Sequence, residues 1–403
     1  MREITIKNKY VESFWKIVLF LFCVSVYTSK SGLSIFGVLL ILLSAFYVDW
    51  KDFGKQKFLV GAVTLYPLAI LCNLFSLGGV ASSLKVVYSW PWPLLVIPAY
   101  LVSRRPKDWR LGFVALALGF IIACGKSLYT FITVHGGVFS SAVRVDSFWD
   151  IGRWGVFLAV TTLALFGVYG SQKLQKTYEK VVVLALFALG FVCLILSNTR
   201  APWLAFGVGF TLYCFSDRRL LKYYFGLFAL VLLLVFSNSG LRDRTSSIGS
   251  IKTDQTGQIT SGDPSNAGRL HMWKVAMDFY REQPWFGTGF ESVEAPLRAF
   301  LDVKGSEYKE KYTKVEFSFR DQHSSYFGIL VQMGVLFFLF FWFFLAGIFF
   351  KSLRDAIRLR DKTSSLLCCI LATHFVIFVF YSSFGSYEMI SLFPFLALRK
   401  LNQ

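Results

Sequence analysis

Twelve apolar runs succeed one another along this sequence, at residues 14–29, 31–48, 58–77, 86–103, 111–134, 151–170, 180–197, 201–216, 220–237, 324–350, 365–384 and 386–398. A helix needs about 20 apolar residues to cross the hydrocarbon core of a bilayer. The pattern therefore predicts an all-α polytopic membrane protein of about twelve transmembrane helices. A long, partly helical loop separates the ninth from the tenth. The chain divides into 1–237 (helices 1–9), 238–322 (loop) and 323–403 (helices 10–12). The fourth run contains Pro91, Pro93 and Pro98 and is expected to be kinked or broken.

Composition agrees with a lipid-facing surface. Only 16% of residues are charged and 55% are hydrophobic, whereas soluble domains carry roughly 25% charged residues. The net charge of +18 would suggest nucleic acid in a soluble protein. Here the basic residues fall in short clusters between apolar runs, so a nucleic-acid partner is not expected. All seven cysteines lie inside apolar runs, which argues for packing rather than disulfides or a metal site. The polar segment before the first run has no small-residue cleavage site and leads into a span, not a removed signal.

The basic clusters orient the chain. With the N-terminus inside, the cytoplasmic segments hold twenty-three Lys and Arg, from Arg2 and Lys7 through Lys173 to Arg399 and Lys400. The short opposite connections hold five: Lys30, Lys85, Arg144, Arg153 and Arg200. Positive residues favour the cytoplasmic side, so both termini are expected inside and the loop outside. The loop carries 12 basic and 12 acidic residues and reads as a small folded unit. It opens with a polar stretch, Thr245 to Asn266, continues with a helix from about Ala267 to Glu282 stopped by Pro284, and ends with a second helical segment over Ser292 to Tyr312.

The few polar residues at outer span ends carry the chemistry. Arg200 opens the eighth span on the side where positive charge is disfavoured, and it opposes the helix dipole there. Two unfavourable terms together suggest that an anion is met at that place. Arg269, preceded by Asn266 and Gly268, sits at the expected start of the loop helix, where backbone N–H groups and a guanidinium suit a phosphate. His323, beside Asp321 at the junction of loop and tenth span, is placed to act as a general base near neutral pH. Lys126 lies within the fifth span and either faces a cavity or snorkels outward. His374 reads as a packed residue, and no metal-ligand spacing is present.

Three stretches resemble the bacterial O-antigen ligases of the lipopolysaccharide ligase/polymerase family. They are Ser-Asn-Thr-Arg-Ala-Pro-Trp-Leu-Ala around Arg200, Gly-Arg-x-x-x-Trp at Arg269 leading to Pro-Trp-Phe-Gly-Thr-Gly-Phe, and His-Ser-Ser-Tyr-Phe followed by Gln-Met-Gly at His323. The chain has His-Ser where the commoner family pattern is His-Asn, a departure that bears on how the imidazole is oriented. The resemblance implies a glycosyltransferase at the periplasmic face of the bacterial inner membrane. Its donor would be O-antigen on undecaprenyl pyrophosphate, its acceptor a hydroxyl of the lipid A–core oligosaccharide, and it would use no metal or other cofactor. Arg200 and Arg269 would bind the pyrophosphate and His323 would be the base, with Arg144, Arg153 and Lys85 as an outer substrate-binding ring; Arg153 also reads as a cap on the sixth span. The alternatives are an O-antigen polymerase, a protein O-oligosaccharyltransferase and a non-catalytic polysaccharide transporter.

Overall fold

The computed structural model describes residues 9–140, 142–170, 176–246, 251–253, 259–261, 264–282, 285–313, 317–382, 384–385 and 387–402. Arg2, Lys7, Lys173 and Pro284, and parts of the polar stretch 245–266, lie outside them. The α-helices are α1 (Lys9–Thr28), α2 (Lys30–Tyr47), α3 (Trp50–Gly54), α4 (Lys57–Leu74), α5 (Gly79–Ser89), α6 (Val96–Ser103), α7 (Pro106–Thr133), α8 (Ile151–Gly170) and α9 (Thr177–Leu196). They continue with α10 (Arg200–Ser216), α11 (Leu221–Ser237), α12 (Ser239–Ser246), α13 (Pro264–Tyr280), α14 (Glu294–Lys304), α15 (Ser306–Thr313), α16 (Ser325–Leu359) and α17 (Lys362–Phe380). A short antiparallel hairpin, β1 (Ile251–Thr253) and β2 (Ile259–Ser261), pairs Lys252 with Thr260 at its centre.

Ten helices among the described residues are long and apolar enough to cross a membrane. The protein is thus an all-α polytopic membrane protein. Helix α10, with 17 residues, is one turn shorter than most of these. The proline-rich fourth run is broken as its sequence predicts: α5 ends at Ser89, Trp92–Leu95 form a 3-10 turn, and α6 resumes at Val96. The last run departs from expectation. It folds not as an α-helix but as 3-10 stretches, Tyr387–Ser391 and Phe393–Asn402. Pro394 has no N–H to give to an α-helical ladder. The segment stays inside the bundle, with Met389, Leu392 and Phe393 fully buried. His374, buried on α17, bonds the Ile370 carbonyl at 2.9 Å and the Ser391 hydroxyl at 3.0 Å, the satisfied packing role read for it.

Capping side chains fix several helix starts. Ser29 accepts from the Gly32 N–H, Asp49 from Lys51 and Asp52, and Asp361 from Thr363 and Ser364. All seven cysteines are buried and unbridged.

The loop 238–322 is not a unit on its own. Its apolar cluster, including Val275, Phe279, Leu297, Phe300 and Leu301, also takes in Val331 of α16. The second helical segment is split into α14 and α15 at Gly305. The turn 285–291 is wedged between the α4–α5 connection and α16. Helix α16 kinks at Gly334, whose φ is 74°. The kink releases carbonyls that an unbroken helix would use internally. Val331 and Gln332 offer theirs to the Thr288 and Gly289 N–H groups at 2.9 and 2.8 Å. On the other side, Gly78 donates to the Thr288 carbonyl at 2.9 Å, and the Asn73 side chain accepts from Phe290 N–H at 2.7 Å. The Gln332 side chain accepts from Glu291 N–H at 3.0 Å. Non-helical backbone beside spanning helices needs this kind of internal satisfaction. The Trp-Phe-Gly-Thr-Gly-Phe and Gln-Met-Gly stretches are therefore two halves of one backbone lock.

A Cβ on Gly334 would lie 2.1 Å from the Trp285 carbonyl oxygen, in a backbone conformation that disfavours side chains. Gly334→Ala is expected to destabilise the protein by about 3 kcal/mol or more. Thermal unfolding in detergent should show this, together with faster proteolysis at 285–291.

Candidate functional site

One end of the bundle gathers residues 134–140 and 142–150, the 197–200 turn, the start of α16 and the segment after α17. The Ser-Asn-Thr stretch before α10 builds the turn that presents Arg200. Asn198 is buried with a left-handed φ of 50°, a conformation that asparagine tolerates. Its amide nitrogen donates to the Val143 carbonyl at 2.8 Å and the Ser140 carbonyl at 3.2 Å. Val145 N–H meets the Leu196 carbonyl at 3.2 Å, joining the same loop to α9. Thr199 and Pro202 press on Gly155 of α8, two residues from Arg153. Arg200, half-buried, is thereby set at the N-terminus of α10 beside the start of α8.

His323 takes a left-handed φ of 48°, a strained state for a non-glycine residue. Asp321 holds it there: one carboxylate oxygen accepts from the His323 N–H at 2.7 Å and the other lies 3.5 Å from Nδ1. The Ser324 side chain turns away, donating to the Phe378 carbonyl at 3.2 Å, and Ser325 donates to the Tyr381 carbonyl at 2.7 Å. The two serines stitch α16 to α17. Asp321, not residue 324, thus sits where it can orient the imidazole, whose side chain is 40% exposed.

Helix α13 reaches this corner through Trp273, whose indole N–H donates to the Gln322 carbonyl at 3.0 Å and whose ring stacks on Phe327. Arg269 lies one turn earlier on α13. The helix begins at Pro264, three residues before the expected start, so Arg269 is in its second turn. Its backbone N–H is not among the four that a helix leaves open. What Arg269 brings is its guanidinium.

The outer ring of basic residues separates into distinct roles. Arg153 faces Asp150 at 2.7 Å and Glu388 at 3.7 Å, so two carboxylates balance its charge. It ties α8 to the C-terminal segment. Arg144 is exposed, and its charge, like that of Arg269, acts on Tyr381. Lys85 is engaged elsewhere, donating to the Glu291 carbonyl at 2.8 Å, where it clamps the 285–291 turn. Lys126 donates to the Ser147 carbonyl at 2.6 Å and lies 4.3 Å over the Phe148 ring. Both contacts tie α7 to the 142–150 loop. Among the described residues, no group of three or more His, Cys, Asp or Glu side chains is placed to hold a metal ion.

Two residues at this end escaped the sequence reading. Glu388, only 5% exposed, had a signal: a carboxylate within an apolar run. Tyr381 had none, since one of 18 tyrosines near a membrane boundary is unremarked. Burial pushes the Tyr381 hydroxyl up to about 12; Arg269 and Arg144 pull it down, and Glu388 and Asp150 push it further up.

Carboxylates also brace the loop. Burial raises the Asp278 carboxyl, but hydrogen bonds from Lys274 and Tyr308 outweigh that and hold it below its ordinary value. Arg320 and Arg298 hold Glu294 low as well. Groups with depressed values stabilise the fold above their ordinary range, and that stabilisation goes as pH falls through the folded values. Limited proteolysis of the loop should be constant from neutral pH down to the ordinary carboxyl values of 3.8 and 4.5, and should speed up below them.

Residues 185–342 match the family model described as O-Antigen ligase. That stretch holds Arg200, Arg269 and His323, and leaves Lys85, Arg144, Arg153 and Tyr381 outside. A comparison with curated proteins found none that matches the chain. From the middle of α9 to the middle of α16, the chain is therefore similar to the O-antigen ligase family.

Proposed function

We propose that this protein is an O-antigen ligase of the bacterial inner membrane. It transfers O-antigen polysaccharide from undecaprenyl pyrophosphate to a sugar hydroxyl of lipid A–core, at the periplasmic face. The observation that carries the reading is a half-exposed histidine oriented by Asp321, on the same corner as the Arg269 helix, with both inside the family domain. In this reading 238–322 is the periplasmic loop and both termini are cytoplasmic.

The acceptor hydroxyl gives its proton to His323 as its oxygen attacks the anomeric carbon. The bond from that carbon to the phosphate oxygen breaks, and undecaprenyl pyrophosphate leaves with the electron pair. Direct displacement inverts the anomeric centre. Charge that grows on the leaving pyrophosphate needs fixed donors. Arg200 and Arg269 supply them as planar, permanently charged forks suited to phosphate, so no metal is required.

The test is transfer by the purified protein in nanodiscs, with lipid-linked polysaccharide, lipid A–core and EDTA. Lipid A–core should shift to high mass. Growth of the glycan on its lipid carrier would mark a polymerase instead, and no change in either glycolipid would reject both.

A further inference from the structure

Helices α4 and α16 pack side by side in opposite directions, and their contacts set a depth scale. At one end the Lys351 ammonium lies 4.9 Å over the Phe58 ring. Lys55 and Lys57 come just before Phe58, and Arg354 just after Lys351, so charge marks this level as a membrane edge. At the other end the Asn73 amide nitrogen lies 3.2 Å from the Met333 sulfur. At about 1.5 Å of rise per residue, Phe58 to Asn73 measures about 22 Å and Lys351 to Met333 about 27 Å. The hydrocarbon layer is about 30 Å thick, and helix tilt only shortens the depth these lengths cover. Asn73 and Met333 therefore sit inside that layer, whichever face the loop emerges from. The 285–291 turn hangs on these same residues: Phe290 N–H donates to the Asn73 side chain, and Thr288 and Gly289 N–H to the Val331 and Gln332 carbonyls.

The surface of the turn matches that depth. Its backbone is met from within, by α4, α16 and the connection at Leu77 and Gly78, which is what backbone at membrane depth requires. Outward it shows Trp285, 62% exposed, and Phe286 packs against Phe75, whose ring lies 5.4 Å away and is 64% exposed. Leu77, Val80 and Leu84 carry the exposed apolar surface along the connection and α5. The first charged side chain of the turn is Glu291, at its end, where Lys85 reaches the Glu291 carbonyl at 2.8 Å. In water this apolar surface would be unfavourable; against acyl chains it is not, and an indole suits the boundary between the two. We propose that the 285–291 turn is a re-entrant segment, and that Trp285, Phe75 and Leu77 rest against the acyl chains of the lipid leaflet from which the loop emerges. The loop 238–322 is then divided between two solvents. Its helices α13 to α15 stand in water, and the turn between α13 and α14 is a foot set in lipid.

The experiment places a nitroxide spin label at position 285 or 77 of the full-length protein in phospholipid nanodiscs, through Trp285→Cys or Leu77→Cys. The seven native cysteines are buried, so the label goes to the introduced thiol. Both side chains are exposed, and the turn is held through backbone groups, so thermal unfolding should stay near wild type. Paramagnetic resonance then compares collisions with oxygen, which concentrates in lipid, and with a neutral nickel chelate, which stays in water. Leu233→Cys on the spanning helix α11 and Val303→Cys on α14 give the lipid and water references. Labels at 285 and 77 should show an oxygen-to-nickel ratio several-fold above that at 303 and close to that at 233. A ratio at 285 equal to that at 303 would overturn the proposal, whatever position 77 shows. Few collisions with either reagent at 285 would overturn it too, since protein, such as a second copy of this chain, would then cover the turn.

Discussion

His323→Ala is expected to lower transfer from lipid-linked donor to lipid A–core by about 10²–10⁴-fold, the usual contribution of a general base. Donor binding should survive, because the imidazole acts on the acceptor hydroxyl. The substitution removes a side chain that is 40% exposed and leaves the Asp321 bond to the backbone N–H available, so the fold should hold. Single-turnover transfer beside equilibrium donor binding separates the two effects. Residual transfer near the wild-type rate would remove His323 from the role. A milder loss is expected for Asp321→Asn, which keeps an acceptor for the N–H but not the carboxylate beside Nδ1. That variant should act chiefly through the rate and not through either substrate's KM.

Arg200→Lys and Arg269→Lys should each lower transfer by about 10²–10³-fold, the range seen when one fixed donor to a developing negative charge is removed. Lysine keeps the charge and loses the planar fork. Because the leaving group carries more charge in the transition state than in the bound donor, the loss should fall on kcat more than on donor KM. Wild-type rates in both lysine variants would reject the pyrophosphate clamp. Arg153→Lys makes an informative contrast. With Asp150 and Glu388 as its partners, its replacement should appear as lower thermal stability and slower transfer together, the mark of a scaffold role.

The spanning runs were legible because each sums a transfer preference over many residues, and a sum tolerates a few exceptions. The last run failed because hydropathy reports length and polarity and not whether the backbone ladder is α or 3-10. Helix α13 began earlier than its apolar spacing showed, since residues 264–266 are polar and contribute no periodicity. Arg200, Arg269 and His323 stood out by charge or by rarity against an apolar background. Lys85 and Lys126 stood out in the same way and proved to be engaged by loop carbonyls, which no one-dimensional spacing reveals. Tyr381 was invisible for the converse reason. An ordinary residue, it gains its place only from Gly152 and Ser325, which the chain brings to it from elsewhere.

The lock between the 285–291 turn and the Gly334 kink also bears on the order in which the molecule is made. Residues 73–79 are synthesised early and can wait in the membrane with the first half of the turn's partners. The carbonyls of Val331 and Gln332 appear only after the whole loop has emerged and α16 has followed it. Until then the turn has unpaired backbone groups, while α13 can already bond residue 322 through Trp273. Docking of the 285–291 turn is therefore a late step in biogenesis. A chain truncated before residue 334 should insert its earlier helices and yet leave the loop open to protease.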